Sequence, residues 1–292
     1  MGKQNNSPVW VVGEALIDLI SFGTSQLPVV GGGPANTAKA LSKLGIKTFF
    51  IGGISRDKFG EQISTDLRNS GVILDLSKQS ELPTALAIVT LDNCGSPRYE
   101  FKLDRTATFD FGDWLPKGKP SVMHIGSLGS VVEPGAGYIF NWAKKIDTQI
   151  VYDPNVRPSV LSDKNEYRAI FESWAKISYA VKLSQDELSW LGYSARDIVE
   201  MGATLVVVTK GDAGISARSI VEYVEVPAEK IKIVDTVGAG DTVGAVVVEG
   251  LCKYGNLERE NLLKVLQKAA KAAAITCSRP GANPPTAIEL EA

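Results

Sequence analysis

Two acids punctuate one short stretch of the chain, IKIVDTVGAGDTVGA. Asp235 follows an apolar run, and Asp241 follows Gly238-Ala239-Gly240. The run IKIV reads as a strand that hands over, through the glycine turn, to a helix of small residues. Small residues leave the backbone N–H groups of such a turn uncovered, and the helix dipole adds partial positive charge. Gly238, Ala239 and Gly240 therefore form an anion site suited to phosphate. An acid beside a phosphate site is electrostatically misplaced unless it touches what attacks the phosphate. Asp241 then reads as a general base that takes the proton of an attacking hydroxyl, and the helix N-terminus helps to keep it ionised. An isolated GAGD is more often a tight turn with an N-cap, so the assignment depends on the other motifs.

Three such motifs are present. GGGPANTAKALSKLG is a second glycine turn entering a helix, with Asn36 near its start; its glycines let the backbone approach a small polar ligand. VTKGDAG is a third glycine turn after a strand. DPNVRP ends the strand IVYD and presents Asp153, Asn155 and Arg157. Arg157 suits a phosphate or substrate oxygen, with a surface ion pair as the alternative. The Walker A pattern, the dinucleotide fingerprint and the protein-kinase motif set do not occur.

These groups need a scaffold. VWVVG, TFFIGG, VMHIG, IVYD, YAVKL and TLVVVTKG read as short buried strands, alternating with helical patterns such as FGEQISTDLRNSG and the run from Glu258 to Ala274. That alternation predicts an α/β fold, a mostly parallel sheet covered on both faces. Ligands then gather at the carboxyl ends of the strands. Two stretches break the rhythm: residues 14–30, and residues 85–102, where TALAIVTL, a turn at DNCGSP and RYEFK predict a hairpin. Both read as a small lid over the active face. No linker divides the chain, so residues 1–292 are expected to form one domain with the lid inside it, at about 14–30 and 85–107.

The 292 residues are 44% hydrophobic, with a formal net charge of −2. This is globular composition without the basic footprint of a nucleic-acid binder. No apolar run approaches a membrane span, and MGKQNNSPVW lacks a signal-peptide core. Cys94, Cys252 and Cys277 fit neither a disulfide framework nor a zinc spacing, which leads us to expect a cytoplasmic protein. The single histidine, His124, lies in an apolar strand and reads as a satisfied core residue.

The motifs VVGEALIDL, GGGPANTAKALSKLG, DPNVRP, KLSQDEL, VTKGDAG and DTVGAGDTVGA, in this order over nearly the whole chain, resemble those of the ribokinase-like (PfkB) carbohydrate kinases, and GEALIDL, GGGPAN and DPNVRP most resemble the fructokinase branch. The resemblance implies a Rossmann-like three-layer α/β/α fold with a small β-sheet lid. It implies ATP and Mg²⁺, with transfer of the γ-phosphate to a sugar hydroxyl, the 6-hydroxyl of D-fructose in that branch. Asp241 matches the catalytic base, and Gly238, Ala239 and Gly240 match the anion hole. Asp18, Gly32, Gly33 and Asn36 match sugar-binding positions, and Arg157 matches an arginine near sugar and phosphoryl group. Tyr99 and Phe101 fall in the lid, where they either cover the sugar or pack the hairpin. Lys182, Thr209 and Gly211, with Gly238 and Gly240, match nucleotide-contacting positions. Glu187 matches an acid that acts on magnesium through water. Asp235 and the carbonyls around Val237, Thr276, Arg279 and Gly281 match the region of a K⁺ site found in many members. A homodimer through the lid is the expected assembly.

The chain departs from the pattern at Ser184, where Asn is usual, at Val237 and Val243, which stand for Thr and an aromatic, and at Pro285, where some relatives have serine. Two rival readings remain open at this level. One is a kinase for another sugar, such as 2-keto-3-deoxygluconate or ribose, with Arg98, Arg105 and Arg157 available to an acidic sugar. The other is a non-catalytic sugar- or nucleotide-binding regulator.

Overall fold

The computed structural model describes residues 8–22, 25–91 and 97–291, without the side chains of 21–25 and 91–99. Strand β1 (Val9–Val12) leads into β2 (Leu16–Phe22) and β3 (Ser25–Gly31), then α1 (Gly33–Lys43) and β4 (Thr48–Ile51). A short parallel pair, β5 (Gly53–Ser55) and β6 (Lys78–Ser80), brackets α2 (Lys58–Asn69). The second insert is β7 (Leu86–Leu91) with β8 (Pro97–Lys102). Next come β9 (Val122–Gly126), α3 (Gly135–Ala143), β10 (Gln149–Asp153), α4 (Lys164–Ile177) and β11 (Ala180–Ser184). They are followed by α5 (Gln185–Leu191), α6 (Ala195–Met201), β12 (Leu205–Thr209), β13 (Ile215–Arg218) and β14 (Tyr223–Val226). Helices α7 (Ala239–Tyr254), α8 (Arg259–Cys277) and α9 (Ala287–Glu291) close the chain.

The central sheet runs β14-β13-β12-β11-β10-β9-β1-β4. From β4 to β12 it is parallel; β13 and β14 add antiparallel strands at one edge. Successive side chains of a strand face opposite ways. Val9 and Val11 accordingly join one core, under α1, α7 and α8, while Trp10 and Val12 join the other, under α3 and α4. Strand β12 repeats this, with Leu205 and Val207 on one side and Val206 and Val208 on the other. Both faces are therefore covered, as the alternation of strand and helix requires.

The two inserts form a separate four-stranded sheet, β3-β2-β7-β8. It joins the body through a small apolar cluster of Leu16, Ala85, Ala87, Phe109 and Leu128.

Two features differ from the sequence reading. The IKIV run is not a strand: residues 227–238 carry none, and Ile231, Ile233 and Val234 are exposed. The amides of Val234 and Asp235 bond instead to the Cys277 carbonyl at the end of α8. VTKGDAG is a glycine turn after a strand, as read, and it closes the hairpin of β12 and β13, the Lys210 amide donating to the Gly214 carbonyl. His124 is buried as expected, yet neither ring nitrogen has a hydrogen-bond partner among the described residues. Burial first, then the charge of Lys182, lowers its pKa to about 3, so the ring is neutral.

Candidate active site

Two cavities open at the carboxyl ends of the parallel strands. One, of about 610 Å³, lies beneath the lid and is lined by residues including Asp18, Gly32, Gly33, Asn36, Phe101, Arg157, Lys182 and Asp241. The other, of about 580 Å³, is lined by Thr209, Gly211, Ile231, Ile233, Val243, Ala270, Ala274 and Cys277. Gly240 and Thr236 line both, so the glycine turn separates them.

The start of α7 explains the turn's chemistry. Its N-cap is Gly238, with φ at 78°, and no side chain caps the helix. A Cβ at Gly238 would lie 2.7 Å from that of Ala282, so the left-handed glycine also serves a close approach. By contrast, α4, α5 and α6 are capped by Asp163, Ser184 and Ser194. A bare helix N-terminus between two cavities leaves amide donors for a ligand's negative charge.

Asp241 lies in the first turn of α7, and its Oδ2 accepts from Asn36 Nδ2 of α1 at 2.9 Å. Burial, then the neighbouring Asp153 charge, raises its pKa to about 6 against the opposing effects of Lys182, Asn36 and Arg157. The sequence reading expects the helix N-terminus to help keep this acid ionised; burial and Asp153 act the other way. At neutral pH Asp241 is still ionised, and its raised pKa makes it a better proton acceptor than an ordinary aspartate. Gly33 is bare for a reason: a Cβ there would lie 2.9 Å from Asn155 Nδ2 and 3.3 Å from Asp241 Oδ1.

Asp18 faces the same cavity from the lid strand β2. A Cβ on Gly31 would fall 2.2 Å from its Oδ2, so the glycine run makes room for the carboxylate. Burial raises the Asp18 pKa to about 6, opposed by Arg157. Arg157 Nη1 donates to the carbonyls of Asn155 and Val156, which holds the guanidinium beside the cavity. Phe101 lines the cavity from β8. The backbone of Tyr99 is in β8, while its side chain, like that of Arg98, lies outside the described ones.

Lys182, on β11, pairs with Asp153 of β10 at 2.8 Å, both buried. Burial alone would lower the lysine's pKa, but Asp153, Glu187 and Asp241 together raise it. A Cβ on Gly240 would lie 2.9 Å from its Nζ, so the ammonium sits against the glycine turn. Glu187 accepts from the amides of Val156 at 2.5 Å and Ser184 at 2.6 Å, and Ser184 caps it in return. The Ser184 departure therefore builds a capping box. Asp235 accepts from the amides of Val237 at 3.0 Å and Gly281 at 2.8 Å, which clasps two loops together. Thr276 is buried, its hydroxyl on the Ala272 carbonyl, and Arg279 pairs with Glu289. Among the described residues no cluster of three or more His, Cys, Asp or Glu could hold a metal.

Sequence reasoning gave no task to Glu14 and Ser127, which also line the cavity beneath the lid. Ser127 directly follows a parallel strand, a position that the strand-end rule could have flagged. Glu14, which follows the strand VWVVG, carried the same signal.

The chain has relatives over most of its length. It is similar to a fructokinase of Rhizobium leguminosarum bv. trifolii, 34% identical over 88% of this chain and 82% of that one. Its fold matches the crystal structure of a Xylella fastidiosa fructokinase with bound ATP, at a TM-score of 0.89, 24% identity and 97% coverage of each chain. It also matches a double mutant of the Vibrio cholerae O395 fructokinase in a fructose-, ADP- and potassium-bound form, at a TM-score of 0.84, 26% identity and 94% coverage of each. The model of the pfkB family carbohydrate kinases matches residues 7–288, and the chain belongs to that family.

Proposed function

We propose that the protein is an ATP-dependent fructokinase that transfers the γ-phosphate of ATP to the 6-hydroxyl of D-fructose. The observation that carries this is the bare glycine turn between two cavities, with Asp241 at the junction. The sugar occupies the cavity under the lid, held by Asp18, Gly32, Gly33 and Asn36, and covered by Phe101 and Tyr99. ATP occupies the other, against Thr209 and Gly211, with its γ-phosphate at Gly238, Ala239 and Gly240 and within reach of Lys182 and Arg157. Asp241 takes the hydroxyl proton as the sugar oxygen bonds to phosphorus. The bond from phosphorus to the bridging oxygen breaks, and ADP leaves. The Rhizobium relative carries the name fructokinase, and the Vibrio neighbour binds fructose, ADP and potassium; both support this reading.

The charge inventory favours a neutral sugar over a sugar acid. Glu14, Asp18 and Asp241 all feel the Arg157 charge, and Lys182 is committed to Asp153. Four acids line that cavity, Glu14, Asp18, Asp235 and Asp241, against two cations, Arg157 and Lys182, so a substrate carboxylate would meet an excess of negative groups.

Magnesium bound with ATP would spread the charge on the phosphates. Glu187 fits an indirect role, since each oxygen already accepts an amide and keeps a lone pair for water. For K⁺, Asp235 fits as organiser of the Val237 and Gly281 loops, with the carbonyls around Val237, Thr276, Arg279 and Gly281 as ligands. Exposed Ile20 and Leu27 on the lid suit a homodimer through that face, which sedimentation would test. A cytoplasmic location suits an ATP-consuming enzyme, and no helix among the described residues is long and apolar enough to cross a membrane.

Coupled ADP release with fructose, ribose, 2-keto-3-deoxygluconate and no sugar tests the activity, and ³¹P–¹H NMR of the product tests the hydroxyl. Release with 2-keto-3-deoxygluconate alone would refute the neutral-sugar assignment. No sugar-dependent release under any condition would favour the regulator.

A further inference from the structure

Asp153 ends β10 and is buried, as is Lys182 on the adjacent strand β11. Asp153 Oδ2 accepts from Lys182 Nζ at 2.8 Å, and its Oδ1 accepts from the Asn155 amide at 3.2 Å. Both carboxylate oxygens are thus engaged, while the ammonium has used one of its three N–H groups. Asp153 is the one hydrogen-bond partner of that ammonium among the described residues. Two other acids face Lys182, Glu187 from α5 and Asp241 from α7. Glu187 has both oxygens on backbone amides, those of Val156 and Ser184. Asp241 accepts from Asn36 through Oδ2, so its Oδ1 is the open acceptor nearest in kind to the one that Asp153 supplies. Asp153 and Asp241 also line one small cavity together. The ammonium therefore stands between two acids and is bonded to one of them, against the glycine turn at Gly240.

We propose that Asp153 is a positioning residue for phosphoryl transfer: it holds the Lys182 ammonium against the glycine turn and off Asp241, which leaves two N–H groups for the transferring phosphate and leaves the base free. This rests on the γ-phosphate lying at Gly238, Ala239 and Gly240. An ammonium fixed there in advance offsets the phosphoryl charge without reorganising. A neutral side chain at position 153 would leave a buried ammonium without its anion. The ammonium would then turn to Asp241, giving up its place at the phosphate and pairing with the group that must accept the proton. The charged groups around Asp241 are Asp153, Lys182 and Arg157. His124, from β9, shares the small cavity and is neutral. Glu14, Asp18 and Asp235 line the larger one.

The test compares wild type with Asp153→Asn, Lys182→Met and the double variant. In Asp153→Asn the kcat on the high-pH plateau should fall roughly 10- to 100-fold, the scale of one charge-assisted bond, while fructose affinity stays near wild type. The kcat limb that Asp241 sets near pH 6 should move about one pH unit toward the ordinary 3.8, because a like charge is gone and the ammonium is drawn in. Calorimetry gives a readout without turnover. The preference for a non-hydrolysable ATP analogue over ADP should narrow in Asp153→Asn, since the ammonium meets the γ-phosphate, which ADP lacks. If Asp153 acts through Lys182, its effect disappears with the lysine. In the Lys182→Met background, Asp153→Asn should change plateau kcat by less than about threefold. A further loss of about tenfold there would overturn the proposal, as would an Asp153→Asn enzyme with wild-type kcat and an unmoved limb. If Asp153→Asn fails to fold, the double variant, which buries neither charge, decides by the same comparison with Lys182→Met. Wild type without sugar-dependent turnover would sink the fructokinase reading and this inference together. Normal turnover with fully additive variants would sink only the inference.

Discussion

Asp241→Asn should abolish most turnover while leaving fold and ligands in place. Asparagine keeps the shape, and its carbonyl can still accept from Asn36 Nδ2, the bond that ties α7 to α1. What disappears is the proton acceptor. Loss of a general base costs roughly 10²–10⁴-fold in kcat, or about 2.7–5.5 kcal/mol at about 1.36 kcal/mol per tenfold. The raised pKa supplies a second signature. With a pKa of about 6, Asp241 is about 97% ionised at pH 7.5 and about 9% at pH 5. Wild-type kcat should therefore fall about tenfold between those values, and the residual rate of the variant should not follow that limb. Stability gives a third check, with the opposite sign. A native pKa raised above the ordinary 3.8 means that the fold binds this proton more tightly than the unfolded chain. The acid's contribution to stability then falls as pH rises from about 4 to about 6. Asn has no charge to desolvate, so the variant should melt higher above pH 6. Stopped-flow ADP release, a pH series and thermal melts measure all three. Near wild-type kcat at saturating substrates, or a lowered kcat that keeps the limb near pH 6, would refute the assignment of the base.

Asp18→Ala should raise the sugar KM steeply and leave ATP affinity intact, since charge-assisted bonds to hydroxyls are worth about 1.5–3 kcal/mol each; calorimetry showing lost ATP affinity instead would reverse the two sites. Lys182→Met should cost about 3–5 kcal/mol in denaturant unfolding, because Asp153 is left buried and unpaired; a loss below 1 kcal/mol, on the order of a surface pair, would mean that Asp153 finds another partner. His124→Leu should raise the melting temperature, because each buried polar atom without a partner costs about 1–3 kcal/mol; a lower melting temperature would mean that the imidazole is bonded in solution. Amide exchange in residues 14–30 and 85–102 should slow on adding fructose. Slow exchange that the sugar leaves unchanged would make the lid fixed structure.

The fold was readable where physics is local. Strands such as VWVV and LVVVT declare two-sided burial, and Gly45 and Gly71 follow the ends of α1 and α2. The glycine turns were readable because few residues other than glycine permit that backbone. IKIV misled because such a run becomes a strand only where another strand pairs with it, and that is a long-range fact. The same limit hid the Asp153–Lys182 pair, whose members come from adjacent strands, and the Ser127–Asn155 bond, whose members come from two separate segments. His124 was rightly read as buried, but whether a buried ring finds partners depends on neighbours that its own strand does not name.

The two cavities draw on different parts of the polypeptide. The one under the lid takes its upper wall from β2, β3, β7 and β8, all before residue 103, whereas the other is lined only by residues from Thr209 onward. On the assignment proposed above, the lid's share in acceptor choice is written before residue 103, apart from every residue that lines the nucleotide cavity. A lineage can rewrite the lid strands, or exchange them as a cassette with those of a relative, and try a new sugar while the phosphate-handling end stays unaltered.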